Sequence, residues 1–98
     1  GINVRTLTER LSKQLGMSFY GGYLITDVEK DGPGEKAGLE RGAVIQRIDD
    51  QQPESLVTLA RNIHSRKAGA MVKLSVVWEI RRGAFLQRRT GIANVKIR

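Results

Sequence analysis

The chain has 98 residues, no cysteine, and a formal charge of +7 from 17 Lys and Arg against 10 Asp and Glu. That length sustains one core, burying roughly 60–68% of the unfolded surface, while the missing cysteines exclude a disulfide framework and a thiolate metal site. No apolar run approaches the ~18 residues of a spanning helix and no signal peptide is present, so no membrane insertion is expected of this segment.

Gly1 to Arg5 reads as a strand, with Ile2 and Val4 on one face and Asn3 and Arg5 on the other. Gly1-Ile2 resembles the inside of a motif rather than a start, so residues 1–98 are expected to be a single domain excised from a larger protein. Thr6 or Thr8 is placed to cap a helix carrying Leu7, Leu11 and Leu15 at spacing four, and Thr6 with Glu9 fits a capping box. Gly16 stops that helix. In the connection that follows, Phe19 and Tyr20 are expected to cover the core, and Gly21-Gly22 turns the chain into the next strand.

Residues 21–48 organise the rest. Tyr23 to Val28 is a β-rich run. Asp31-Gly32-Pro33-Gly34 ends it, since Gly permits positive φ and Pro33 has no donor for a ladder. Glu35-Lys36-Ala37 allows about one helical turn before Gly38 and Gly42 break it. Ala43 to Ile48 resumes as a strand.

Asp49-Asp50-Gln51-Gln52-Pro53 is polar turn material leading into a helix from about Glu54 to His64. Its stripe is Leu56, Leu59, Ala60 and Ile63, widened by Val57. Met71 to Ile80 is the longest alternating run. Arg81-Arg82-Gly83 reads as a hairpin turn, Ala84 to Thr90 as the return, and Ala93 to Arg98 as a last strand.

The segment Asp31-Gly32-Pro33-Gly34-Glu35-Lys36-Ala37-Gly38-Leu39-Glu40-Arg41-Gly42-Ala43-Val44-Ile45 resembles the centre of a PDZ domain of the bacterial HtrA/Deg (DegP-like) serine protease type. The match rests on Pro33, Ala37-Gly38-Leu39, Gly42 and Ile45. Gly32, Gly34 and Ala43 replace the usual Ser, Ala and Asp, at positions that the resemblance keeps out of the ligand groove. The expected fold is α+β: a PDZ-like, partly rolled, mostly antiparallel β-sandwich or barrel of five to six strands with two helices.

The resemblance also implies a function: a non-catalytic module that takes hydrophobic C-termini or extended segments of protein substrates by β-strand addition. The groove would lie between the strand at 1–5 and the helix at 54–64. Gly1 and Ile2 would end the carboxylate-binding loop, where backbone N–H groups meet the peptide's terminal charge. Ile2 and Val4 would face the terminal side chain, Asn3 and Arg5 would offer polar side chains, and Leu56, Ala60, Ile63 and His64 would supply the helix wall. Leu59 reads as core, and Ile63 stands between core and groove. Burying one apolar side chain gives ~1.5–3 kcal/mol, so micromolar affinity, on the order of −8 kcal/mol, is expected. The other partner implied is a linked protease domain, for substrate recognition or regulation in the periplasm or cell envelope. An alternative is an assembly module whose groove edge is filled by its own or a neighbouring chain.

Other signals carry less. His64 has no oriented Ser and Asp and no nucleophile elbow, so no catalytic residue is assigned. One His and no Cys make no metal site, and no cofactor is implied. Gly32-x-Gly34-x-x-Ala37 fits a dinucleotide fingerprint only formally, because Gly38 and Gly42 forbid the long helix it requires. Asp49-Asp50 reads as a solvated turn rather than a carboxylate pair. The cations are spread along the chain with few aromatics, so they read as a solvated basic surface, with no nucleic acid partner.

Overall fold

The computed structural model describes residues 2–96, apart from the side chain of His64. Five strands, β1 (Ile2–Thr6), β2 (Tyr23–Val28), β3 (Val44–Ile48), β4 (Met71–Arg82) and β5 (Phe85–Lys96), form one sheet in sequence order. Every neighbouring pair is antiparallel. The sheet is not closed, and β1 and β5 are its two edges. Three short helices connect the strands: α1 (Glu9–Leu15), α2 (Pro33–Lys36) and α3 (Leu56–His64).

Period-two alternation sends neighbouring residues of β2 and β3 to opposite faces. Tyr23, Ile25 and Ile45 join Leu59, Leu74 and Val76 in the larger core, beneath α3. Leu24 and Val44 join Leu7 in a smaller one, covered by Leu11, Met17 and Phe19. Thr8 caps α1 by accepting from the Leu11 N–H at 3.1 Å, and Gly16 ends the helix at φ +70°.

Of the leucine stripe expected on α1, Leu7 and Leu11 turn inward and Leu15 does not. The helix starts at Glu9, after Leu7, and Leu15 is 53% exposed. Ser12 is the buried helical position, and its hydroxyl donates to the carbonyls of Met17 and Phe19. Tyr20 is likewise exposed rather than covering the core. Burial alternates over 17–20, with Met17 and Phe19 half-buried and Ser18 and Tyr20 exposed.

The two strands expected after residue 83 are one. β5 runs unbroken from Phe85 to Lys96 and pairs with β4 residue for residue, through a turn at Gly83-Ala84 with Gly83 at φ +59°. Gly91 does not interrupt it. A Cβ there would come within 2.9 Å of the Trp78 ring, so glycine lets the indole lie across the ribbon. Five strands therefore result; Ile97 and Arg98 lie outside the described residues.

Candidate functional site

On β1, Ile2 and Val4 are half-buried and turned inward, while Asn3, Arg5 and Thr6 are exposed. Among the described residues the strand pairs with β2 on one side only. Its register skips Thr26 between the pairs Asn3–Asp27 and Val4–Ile25, and the Thr26 hydroxyl donates to the Asn3 carbonyl at 3.2 Å. This bulge bends the edge without breaking the inward alternation of Ile2 and Val4.

Helix α3 is fixed at its start. Ser55 caps it by accepting from the Thr58 N–H at 3.1 Å. Just upstream, the buried Tyr23 hydroxyl donates to the Pro53 carbonyl at 3.2 Å, and burial pushes the Tyr23 pKa up. Leu59 drives into the core at 2% exposure and anchors the helix. Leu56 and Ile63 flank it half-buried, and Ala60 is exposed.

Between the β1 edge and α3 lies an apolar cavity of about 400 Å³, within the range of ligand pockets. Ile2 and Val4 line one wall, Leu56, Ala60 and Ile63 the other, and Leu74 contributes from the sheet. These five expected groove residues are thus brought together, with Ile63 serving both cavity and core. Asn3 and Arg5 do not line the cavity and project from the exposed side of β1. Gly1 and the His64 side chain lie outside the described residues.

Sequence reasoning left out several members of the site. Pro33 and Gly34 line the cavity, which corrects the expectation that the Gly34 substitution lies away from the groove. The physical reason is the approach of α2 to β1. A Cβ on Gly34 would stand 2.7 Å from Ile2 Cγ2, so the missing side chain makes room for Ile2. The only hint in the sequence is the departure from Ala itself.

Two cations, Arg66 and Lys96, also line the cavity. Lys96 closes β5 and is exposed; Arg66 follows α3 and forms an ion pair with Asp49. The Asp49 carboxylate also accepts the Lys73 N–H at 3.1 Å. That backbone bond, helped by Arg66, holds the Asp49 pKa below the usual carboxylate range. Asp50 instead takes the Lys73 ammonium at 3.0 Å. The Asp49-Asp50 turn is therefore more than solvated: each carboxylate holds a cation. Both residues sit at positive φ, which Asp tolerates better than most side chains.

The site is chemically simple. It offers an apolar slot, an unpaired strand edge and two positive charges. Among the described residues, no cluster of three His, Cys, Asp or Glu is placed to hold a metal.

Comparison with known proteins agrees with this architecture. Residues 1–83 match the family model described as PDZ domain. A protein of Rickettsia prowazekii named "Probable periplasmic serine endoprotease DegP-like" is 31% identical over 77 residues, covering 79% of this chain and 15% of that protein. A protein of the same name from Chlamydia muridarum is 34% identical over 87 residues, covering 89% and 17%. The solved structure of "HtrA-type protease AlgW with decapeptide" superposes at a TM-score of 0.67 with 31% identity, over 100% of this chain and 28% of that one. The chain thus spans less than a third of each of these relatives. PDZ domains are non-catalytic modules, and the relatives carrying this one are named as proteases. With the family model covering all but β5, and the fold agreeing over the whole length, the chain belongs to the PDZ domain family, in its HtrA type.

Proposed function

We propose that this domain binds the C-termini or extended segments of protein substrates by adding them as a strand to β1. The observation that carries this reading is the apolar cavity set between the unpaired β1 edge and α3. A strand laid there would satisfy the open backbone groups of β1, and its alternate side chains would reach Ile2, Val4, Ala60 and Ile63. The small Ala60 leaves room for a terminal apolar side chain. Gly1 and Ile2 would end the loop that meets the terminal carboxylate, and Asn3, Arg5 and His64 would offer further contacts to the peptide.

The HtrA-type protease AlgW was solved with a decapeptide, which supports peptide binding by a relative of this fold. By the same likeness, residues 1–98 are one domain of a longer chain that carries a protease domain, and peptide capture selects substrates for that protease or regulates it. The periplasmic naming of the relatives supports a place in the periplasm or cell envelope.

The test is fluorescence anisotropy with peptides ending in an apolar residue, each as free acid and as C-terminal amide. The domain should carry its natural residues ahead of Gly1. Binding of the acid alone, abolished by Ile63→Glu, is expected. Binding of neither form by a folded domain, with Ile63→Glu changing its oligomeric state, would replace this reading with a groove filled by its own or a neighbouring chain.

A further inference from the structure

The far end of the β4–β5 ribbon contributes nothing to the groove or to either core. Every residue from Arg81 to Thr90 is exposed. At the tip, Phe85 is 79% exposed and its neighbour Leu86 is 44% exposed. Arg82 pairs across the ladder with Phe85, and Arg81 with Leu86, so each face of the tip carries one apolar residue across from one arginine. Arg88 and Arg89 follow on the return strand.

The charge here is one-sided. No Asp or Glu follows Glu79 in the sequence. Glu79 itself accepts from the N–H and hydroxyl of Ser18, although it faces Arg88 across the ladder. Arg88 stacks over Phe19 at 4.9 Å, and Arg81 donates to the Gly16 carbonyl at 3.4 Å. Those contacts pin the base of the arm to the α1 side of the domain. Among the described residues, Arg82 and Arg89 form no ion pair.

We propose that this tip docks on an anionic phospholipid surface, with Phe85 and Leu86 entering the headgroup layer and the arginines gathering around them. Two features favour lipid over a protein partner. A two-stranded ribbon is about 10 Å wide, too narrow to bury the roughly 800 Å² per partner of a stable protein interface. A bilayer needs no such complementary area: it takes an apolar point by partition and adds an attraction for each nearby cation. The alternating arrangement also suits it, because arginine stems can lie along the apolar tip while their heads reach phosphate. The proposed docking reaches headgroup depth only, and among the described residues no helix is long and apolar enough to cross a membrane.

The proposal is independent of the groove and is tested on the intact domain by vesicle co-sedimentation. The probes are vesicles of equal parts phosphatidylglycerol and phosphatidylcholine, and vesicles of phosphatidylcholine alone. Binding to the anionic vesicles only is expected. Arg82→Gln and Arg89→Gln should each weaken it roughly fivefold, and Phe85→Ser roughly tenfold. Peptide affinity in the same variants should not change, which also shows that they are folded. Salt near ~1 M, where the Debye length falls to about 3 Å, should release most of the protein. Failure to bind the anionic vesicles would overturn the proposal. So would binding that ignores Phe85→Ser and is matched by soluble polyglutamate, since that would mark a general attraction for acidic protein surfaces.

Discussion

The two faces of the sheet use the same strands for opposite ends. On the α1 side, Leu24 and Val44 meet Leu7 and are covered at once by Leu11, Met17 and Phe19. On the α3 side, their neighbours Ile25 and Ile45 begin a larger core that does not close: it opens between β1 and α3 into a cavity of about 400 Å³. One face spends its apolar area on itself, and the other leaves part of it for a ligand. The two cores are separate clusters, so each face can be perturbed by itself.

The largest effect expected from breaking this contrast is on the closed side. Leu7→Ala removes a side chain only 1% exposed and should cost ~2–5 kcal/mol in urea unfolding. The folded fraction should still bind peptide with unchanged affinity. The mirror change is Ala60→Trp, which fills the slot from an exposed position. It should leave the urea midpoint nearly unmoved and weaken peptide binding by at least roughly tenfold, the loss of one buried apolar contact.

A smaller effect is expected within the open face, where α2 meets the chain's first strand. Gly34→Ala places a Cβ against Ile2 and should cost ~1–3 kcal/mol through overpacking. Because Ile2 must shift, affinity should fall as well, which calorimetry on the purified variant would show.

The helix caps sharpen the comparison at still lower cost. Thr8→Ala and Ser55→Ala each lose one cap bond and about 1 kcal/mol of stability. Only Ser55→Ala should also weaken peptide binding, since only α3 forms a wall of the slot. Equal effects on binding would mean that the faces are coupled more tightly than their separate cores suggest.

The smallest expected effect is on pH dependence. Asp49 has a depressed pKa, so its contribution to stability is present above the ordinary Asp range, near ~3.9. It is lost as pH falls through the depressed value. Wild type should therefore lose stability more steeply than Asp49→Asn below about pH 4, measured by urea midpoints across that range.

Much of this contrast can be read from residue order. The β-rich apolar run of β2 and the alternation in β4 locate the sheet, and the glycine and proline punctuation at 31–42 locates the single turn of α2. Leu56, Ala60 and Ile63 fall on one stripe of α3 because their offsets suit a 3.6-residue period. What could not be read depends on contacts distant in sequence. Leu15 keeps helical spacing yet lies exposed, since α1 begins only after Leu7 and turns Ser12 inward. Gly91 looks like a strand breaker until Trp78 is seen across the ladder. Gly34 becomes a groove residue only when Ile2, far away in sequence, is packed against it. Arg66 enters the site through Asp49, and no local pattern links the two.

The most direct test of one open and one closed face is amide chemical-shift mapping while a peptide with an apolar C-terminus is titrated in. Shifts concentrated on Ile2 to Thr6 and Leu56 to Ile63, with the amides of Leu7 to Phe19 nearly still, are the predicted result. Shifts centred on α1 or spread evenly through both cores would contradict it.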